Sequence, residues 1–342
     1  MKRAIITGIT GQDGAYLARL LIDEGYQVYG TFRRASDSNF WRLSYTGVLG
    51  HKNLVLQEVD ITDLSSVLRI VQTVRPDEIY HLAAQSFVAS SFQEPIATAN
   101  STGLAVLNFL EAIRTTSPEA IRFYQASTSE LFGKVAESPQ NENTPFHPRS
   151  PYGVAKLFGH WSAINYRETY DIFACSGILF NHESPIRSDF FVTRKISLAA
   201  AKISKGKQQL LELGNMEAIR DWGFAGDYVK GMFLMLQQNH AEDYVLATGK
   251  ATSVQEFVTL CFSAAGITLK WQGSGVHQVA KCMDTDKTLV KVNPKFYRPC
   301  EVENTIGDAS KARNKLGWVP QLVISELAQA MVEEDLKRVE SS

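Results

Sequence analysis

Tyr152 and Lys156 stand four residues apart in the run Tyr-Gly-Val-Ala-Lys. At the start of a helix both side chains project from one face. An ammonium beside a phenol stabilises the phenolate and lowers its pKa, so the pair could take a hydroxyl proton as hydride leaves the same carbon. Upstream lies Ser127-Thr128-Ser129-Glu130. Ser127 and Glu130 fit a Ser-x-x-Glu capping box, and a lone Tyr and Lys at this spacing is more often surface packing. Beside a hydride-transfer site, however, Glu130 would supply something alcohol oxidation does not need: a base for a C–H proton acidified by an adjacent ketone. Glu130 therefore decides the reaction class.

The elements that must position these groups follow a βαβ rhythm. Short apolar runs at 4–6, 28–32, 54–58, 79–82, 122–126 and 173–179 alternate with helical patterns near 13–24, 64–73, 95–114 and 151–170. Right-handed crossovers turn this rhythm into a doubly wound parallel sheet of the α/β class, covered on both faces. Gly8, Gly11 and Gly14 fall in the first strand-to-helix turn, where glycines permit close approach to a pyrophosphate and the helix N-terminus offers unpaired N–H groups. At the end of the second strand, where an acidic residue would meet a ribose 2′-hydroxyl, the chain has Arg33 and Arg34. Two guanidiniums there suit a 2′-phosphate and favour NADP over NAD; a solvated basic turn or a subunit contact is the alternative. Asp60 ends the third strand and could meet the adenine amine or simply cap a loop.

After residue 180 the rhythm changes. The run 181–189 is polar and contains a proline, 244–247 reads as one more buried strand, and 272–287 reads as a loop or irregular insertion. We expect residues 1–180, with returning segments near 215–250, to form mainly an NADP-binding Rossmann domain. Residues 181–342 then form mainly a smaller, discontinuous domain interleaved with the first; the family resemblance given below implies that it is the nucleotide-sugar-binding domain.

The 342 residues can bury a substantial core, and 35 Lys and Arg against 36 Asp and Glu give a net charge of -1, with no general attraction to nucleic acid or anionic lipid. Cys175, Cys261, Cys282 and Cys300 form no Cys-x-x-Cys pair, which favours a reduced, cytoplasmic protein. The apolar run after Met1-Lys2-Arg3 is interrupted at Thr7 and Gly8, and no stretch of about 18 apolar residues follows, so neither export nor membrane insertion is expected. Asn181-His182-Glu183-Ser184 lacks the second His of a zinc motif, so no metal is expected.

The segments GITGQDG (8–14), LAAQS (82–86), YQASTSELFGK (124–134), SPYGVAK (150–156), GILFNHESP (177–185), FVTRKI (191–196), RDWGFAGDYV (220–229) and DYVLATG (243–249) resemble the extended short-chain dehydrogenase/reductase superfamily and, within it, the GDP-mannose 4,6-dehydratase family. The resemblance runs from residue 4 to about 318. It implies Thr128, Glu130, Tyr152 and Lys156 as the catalytic set. For NADP it implies contacts from Gly8, Thr10, Gly11, Gln12, Asp13 and Gly14, from Arg33, Arg34 and Ser36, and from Asp60 and Ile61. Leu82, Ala84, Ser86, Tyr152, Lys156, His182 and Arg187 complete that set. For the GDP-sugar it implies Ser86 and Asn181, with Lys195, Arg220 and Arg298 around the diphosphate and Glu301 on the nucleoside. The implied reaction is oxidation at C4, loss of water across C5 and C6, and return of hydride to C6, which leaves NADP regenerated. Thymidine-diphosphoglucose dehydratases carry an Asp just before the Glu; here Ser129 stands in that place, so Glu130 must act alone as acid and base.

One segment departs from the family. Where the mannose enzymes read Pro-Arg-Arg-Gly, this chain reads Pro185-Ile186-Arg187-Ser188. Dehydration of GDP-manno-heptose or a GDP-N-acetylhexosamine therefore stays open. A 4-keto-sugar reductase or epimerase would need no Glu130, and a non-enzymatic dinucleotide sensor would need no Tyr152 and Lys156. The stretch 33–42 is longer than a tight connection requires; in the resembled family it reaches a neighbouring subunit, which implies a homodimer or homotetramer.

Overall fold

The computed structural model describes residues 1–34, 39–117, 120–296 and 305–341. Its strands are β1 (Arg3–Thr7), β2 (Gln27–Phe32), β3 (Leu54–Glu58), β4 (Glu78–His81), β5 (Arg122–Ala126), β6 (Ala174–Leu179), β7 (Asn181–Glu183), β8 (Leu211–Leu213), β9 (Ile219–Arg220), β10 (Trp222–Phe224), β11 (Tyr244–Leu246), β12 (Thr252–Ser253), β13 (Leu269–Gln272), β14 (Val279–Cys282) and β15 (Thr288–Val292). Seven of them form one sheet in the order β11-β6-β5-β4-β1-β2-β3, parallel throughout. Strand order reverses between β1 and β4, which opens a crevice at the carboxyl ends of those strands.

Both faces of the sheet are covered, as its near-continuous apolar strands require. Alternation along β1 sends Ala4 and Ile6 to the face covered by helices Gln12–Asp23 and Ala225–Leu236, and Ile5 to the opposite face. That second face carries helices Leu64–Val74, Ala105–Thr116 and Pro151–Tyr170. Local signals start these helices: Asp63 accepts hydrogen bonds from the Ser65 and Ser66 N–H groups, and Ser150 accepts one from Gly153 N–H at 3.0 Å with Pro151 at the first helical position. The helix expected near 95–114 is a chain of pieces, Pro95–Thr98, a π-helical Ala99–Leu104, and Ala105–Thr116. Gly103 falls within the π turn, where an added Cβ would lie 3.1 Å from Ala155 O, so the two helices approach closely there.

A second sheet of order β13-β14-β15-β8 packs with helices Val192–Ser204, Val254–Ala264 and Ile324–Ser341 around Ile196, Leu211, Phe257, Phe262, Val290 and Met331. Arg194 and Asp335 form a buried ion pair between two of those helices, and Ser197 Oγ donates to the same carboxylate at 2.7 Å. This sheet corrects the loop expected over 272–287, because β14 lies inside that span, paired with both β13 and β15. Strands of four residues with one solvated face carry too little alternation to stand out among Gly273, Gly275 and the charges around them. The polar run at 181–189 likewise contains β7, which pairs in parallel with β10.

Asp221 joins the two parts of the molecule. Its fully buried carboxylate accepts from Thr248 N at 2.9 Å, Thr248 Oγ1 at 2.5 Å, Gly249 N at 2.8 Å and Gly307 N at 3.2 Å. Burial raises its pKa, against the pull of those donors. Asp221→Ala strands the buried Gly307 N–H and removes three further bonds to Thr248 and Gly249, so we expect a loss of about 2 kcal/mol or more in unfolding free energy, read as a lower urea midpoint at unchanged slope.

Candidate active site

The first turn of the chain is built for close approach. Gly8 has φ +70°, and an added Cβ would lie 3.0 Å from Ala83 Cα; at Gly14 it would lie 2.6 Å from Gly8 O. Gly11 caps helix Gln12–Asp23 without any side-chain acceptor, so its first N–H groups face the crevice unclaimed by a capping side chain. Gly30 on β2, outside the glycine motif, admits the Ile9 side chain, whose Cγ1 would be 2.5 Å from an added Cβ. Thr7 holds the other wall: its Oγ1 accepts from Leu82 N and Ala83 N, both at 3.0 Å. Thr10 O accepts from Arg42 Nη1 at 3.3 Å.

The side chains of this turn face the 180–187 segment. Asp13 Oδ2 lies 2.8 Å from His182 Nε2, and His182 Nδ1 lies 2.7 Å from Phe180 O. Both partners are acceptors, so both ring nitrogens donate and the ring is an imidazolium. Burial opposes that charge, but Asp13 outweighs it and raises the His182 pKa. Burial likewise pushes the Asp13 pKa up, and the His182 charge and hydrogen bonds bring it down to about 2. Gln12 Nε2 donates to Asp13 at 3.0 Å and to His182 O at 3.1 Å, while Ser184 Oγ donates to Gln12 Oε1 at 2.7 Å. Arg187 is ion-paired with Glu183 at 3.1 Å and lies 3.6 Å over the Phe191 ring.

The four residues proposed for chemistry converge at the carboxyl end of β5. Thr128 hydrogen-bonds Tyr152, and Glu130 lies near enough to act on the phenol electrostatically. Gly153 makes this approach feasible: a Cβ there would be 3.0 Å from Glu130 O. Two expectations need correction. The oxygen that caps the short helix Ser129–Leu131 belongs to Thr128, which accepts from Glu130 N at 3.3 Å, and not to Ser127. The Tyr152 phenol is also not lowered by Lys156. Burial first and Glu130 second hold it well above its ordinary value, with Thr128 pulling the other way. Lys156 instead donates to Ala126 O at 2.6 Å, its Nζ is 5.9 Å from the Tyr152 ring centre, and burial lowers its pKa to about 8.

The remaining candidates are more dispersed. Arg33 and Arg34 end β2 in solvent, with Arg34 4.0 Å from Glu58. Asp60 closes a local turn by accepting from Thr62 N at 2.9 Å and Thr62 Oγ1 at 2.7 Å, and Ile61 O accepts from Asn108 at 2.8 Å. Leu82, Ala84 and Ser86 follow β4 on the crevice side, with Ser86 exposed. Asn181 opens β7. Lys195 donates to Glu212 O at 2.7 Å, lies 4.0 Å over the Phe296 ring, and lines a cleft with Asp189, Lys202, Gln208 and Glu212. Arg220 bridges to Thr305 through its backbone. Ser36, Arg298 and Glu301 lie outside the described residues. Among the described residues no cluster of three His, Cys, Asp or Glu could hold a metal, and no helix is long and apolar enough to cross a membrane.

The Asp13–His182 pair generates a pH prediction. His182 has a raised folded pKa, so its contribution to stability is full below the ordinary 6.5 and is lost as pH rises through the raised value. Asp13, held at about 2 against 3.8, contributes fully above 3.8 and loses that only as pH falls through about 2. The gap in thermal midpoint between wild type and His182→Gln is therefore expected to be widest between about pH 4 and 6.5 and to narrow on the alkaline side. A gap that stays constant from about pH 5 to 9.5 would contradict the imidazolium assignment.

Comparison with known proteins joins this geometry to a family. A family model described as GDP-mannose 4,6 dehydratase matches residues 5–331. A GDP-mannose 4,6-dehydratase of Sinorhizobium fredii is 52% identical, over 98% of this chain and 97% of its own. Among solved structures, a UDP-glucose 4-epimerase of Thermotoga maritima with UDP-glucose superposes with a TM-score of 0.82 at 24% identity, covering 99% of this chain and all of the other. A dTDP-glucose 4,6-dehydratase of Bacillus anthracis in complex with NAD reaches 0.81 at 19% identity, over 99% and 98% of the two chains. At such identities the structures establish the fold alone, and an epimerase and a dehydratase share it equally well. The sequence comparisons go further: this chain belongs to the GDP-mannose 4,6-dehydratase family.

Proposed function

We propose that the protein is a GDP-mannose 4,6-dehydratase working with a bound nicotinamide dinucleotide, and that the product is GDP-4-keto-6-deoxymannose. The observation that carries this reading is Glu130, set beside Tyr152 and Thr128 at the carboxyl edge of the sheet. An alcohol oxidoreductase or 4-epimerase on this fold has no use for a second acid there.

The chain fits a dinucleotide in three ways. The Gly8–Gly14 turn packs too closely against neighbouring backbone for a Cβ at Gly8 or Gly14, the tight glycine turn that a pyrophosphate site uses; the first helix N-terminus lacks a capping side chain; and Arg33 and Arg34 are exposed just after β2. The two guanidiniums support NADP, by recognition of a 2′-phosphate. Gly8, Thr10, Gly11, Gln12, Asp13 and Gly14 would hold the pyrophosphate, with Asp60, Ile61, Leu82, Ala84 and Ser86 toward the nucleosides and His182 and Arg187 closing the far side. The chemistry a bound nicotinamide supplies is reversible storage of one hydride.

The residues do the proton work. Once Tyr152 has given up its own proton to solvent in the loaded site, its phenolate, sharing a hydrogen bond with Thr128, would receive the C4 hydroxyl proton as C4 is oxidised, and the new ketone acidifies C5. Glu130 takes the C5 proton and passes it to the departing C6 hydroxyl, which leaves as water. As C6 is reduced, C5 regains a proton through Glu130, itself recharged from solvent, and O4 stays a ketone. The proton that Tyr152 took from O4 returns to solvent. Lys156, pinned to Ala126 O, contributes positive charge below about pH 8 and positions the ribose side of the site. Lys195, Arg220 and Arg298 are proposed for the diphosphate, Asn181 and Ser86 for the sugar side, and Glu301 for the nucleoside.

Mannose is favoured over heptose or N-acetylhexosamine because the relatives at about half identity over nearly the whole chain are GDP-mannose 4,6-dehydratases, and the departures from the Pro-Arg-Arg-Gly run are confined to Ile186 and Ser188. Ile186 is fully buried in the core beneath the first helix. We assign dinucleotide binding mainly to residues 1–180 with returns near 215–250, and sugar-nucleotide binding mainly to 181–342. A cytoplasmic homo-oligomer completes the proposal. Val154, Phe158 and Trp161 form an exposed apolar stripe along helix Pro151–Tyr170, with Leu104 exposed nearby, and Cys175, Cys261 and Cys282 are free thiols.

The test is incubation with GDP-mannose in D₂O, with NADP⁺ and NAD⁺ in parallel. We expect loss of one water, deuterium at C5 and a preference for NADP⁺. Glu130→Gln is expected to lower kcat by about a hundredfold or more. Undiminished turnover by Glu130→Gln would indicate a reductase or epimerase, turnover of only GDP-heptose or GDP-N-acetylhexosamine would move the substrate, and silence with all three would favour a dinucleotide sensor.

A further inference from the structure

Helix Ile324–Ser341 belongs to the second sheet's core, yet Arg338 reaches from it to Pro185 and to Trp41, which packs against the first sheet's core. Its Nη1 donates to Pro185 O at 2.7 Å, Glu334 pairs with it at 3.2 Å, and its guanidinium carbon lies 4.8 Å from the Trp41 ring centre. Trp41 is shared. The Arg42 guanidinium carbon lies 4.6 Å from the same ring, and Arg42 donates Nε to Ile186 O at 2.7 Å and Nη1 to Thr10 O at 3.3 Å. Two successive carbonyls, of Pro185 and Ile186, are thus each gripped by a guanidinium, both guanidiniums rest on one indole, and one of them also holds the phosphate-binding turn.

The gripped peptides sit between functional groups. Ser184 on one side bonds Gln12 of the turn, and Arg187 on the other pairs with Glu183. Pro185 can donate no backbone hydrogen bond, and the N–H groups of Ile186 and Arg187 are used within the stretch, on Ser184 Oγ at 3.2 Å and Ser184 O at 3.0 Å, so the carbonyls of Pro185 and Ile186 are the backbone groups it offers to the arginines. The anchoring has a cost: burial is the largest influence lowering the Arg42 pKa, Asp189 opposes it, and Arg187, Arg194 and Arg338 add smaller repulsions. Such crowding persists only where the fork-shaped donors hold fixed acceptors and stack on an aromatic face.

We propose that Arg338 is a positioning residue for dinucleotide binding. From the C-terminal helix, through Pro185 and the Trp41–Arg42 stack, it fixes the 184–187 loop against the Thr10–Asp13 turn while touching neither cofactor nor substrate. The proposal rests on the reading of that turn as a dinucleotide site.

The experiment is equilibrium titration of the full-length protein with NADPH, followed by fluorescence, together with steady-state kinetics on GDP-mannose and a thermal midpoint for each variant. Arg338→Ala is expected to bind NADPH about tenfold more weakly, to raise KM for NADP⁺ and to change kcat less than about twofold. Lys337→Ala, which alters an exposed neighbour 3.8 Å from Glu334, is expected to match wild type. Arg338→Lys is expected to recover part of the affinity, since an ammonium reaches Pro185 O but stacks poorly on Trp41. If Arg338→Ala does not fold, Trp41→Leu removes the shared ring and is expected to weaken NADPH binding several-fold. Wild-type NADPH affinity in Arg338→Ala or in a folded Trp41→Leu overturns the proposal, as does a loss of affinity no greater than in Lys337→Ala. If wild type binds NADPH but does not turn over GDP-mannose, the substrate reading fails and the titration still decides the role of Arg338. If wild type binds no dinucleotide, both fall.

Discussion

The contact between Asp13 and His182 is the constraint on which the site depends. A carboxylate in the first turn of a helix is favoured by the helix dipole, but in this turn it stands where an incoming phosphate would meet it. Only a neighbouring cation makes both compatible. His182 is that cation because Phe180 O occupies its other nitrogen and leaves it no neutral tautomer that satisfies both acceptors. Since His182 is carried by β7 and Asp13 by the first helix, the charge balance of the glycine turn is complete only when the segment after β6 has docked. Gln12, Ser184, Arg42 and Arg338 reinforce the same junction.

The catalytic corner follows a different logic. Burial and the adjacent Glu130 keep the Tyr152 phenol protonated in the protein by itself, and the Lys156 ammonium is held by a backbone carbonyl. The pair is assembled but idle. A phenol held high acts as a base only where added positive charge lowers its pKa, so on the proposed reading proton abstraction by Tyr152 would be confined to the loaded site. The proximity of Glu130 also makes ionisation of the Tyr152 phenol more costly, which on the proposed reading suits a reaction in which the two act in turn.

The fold does not choose among these chemistries. A 4-epimerase and a 4,6-dehydratase superpose on this chain equally well, with TM-scores of 0.82 and 0.81. What separates the readings is one carboxylate on a three-residue helix, admitted by the absence of a side chain at Gly153. Function here resides in a local constellation that a widely used scaffold presents.

Much of this architecture is legible in the order of the residues. The βαβ rhythm dictates a parallel sheet because strands buried on both faces must be apolar throughout, and glycines at a strand-to-helix turn permit the tight backbone packing that Gly8 and Gly14 show, in an ordinary turn as well as in a phosphate site. The spacing of Tyr152 and Lys156 places them on one face by helix geometry alone, and Ser150-Pro151 marks where that helix begins. The strands of the second sheet are not legible in this way, because four residues with one wet face leave too weak a period, and Asn181–Glu183 becomes a strand only through its partner β10. Nor can local sequence show that Thr128 rather than Ser127 caps the short helix, that Lys156 turns to Ala126, or that Arg338 reaches Pro185 across 153 residues. Periodicity and turn chemistry are properties of neighbouring residues and are written in the chain. Which charge meets which carbonyl depends on how distant segments pack, and that the tertiary structure alone decided.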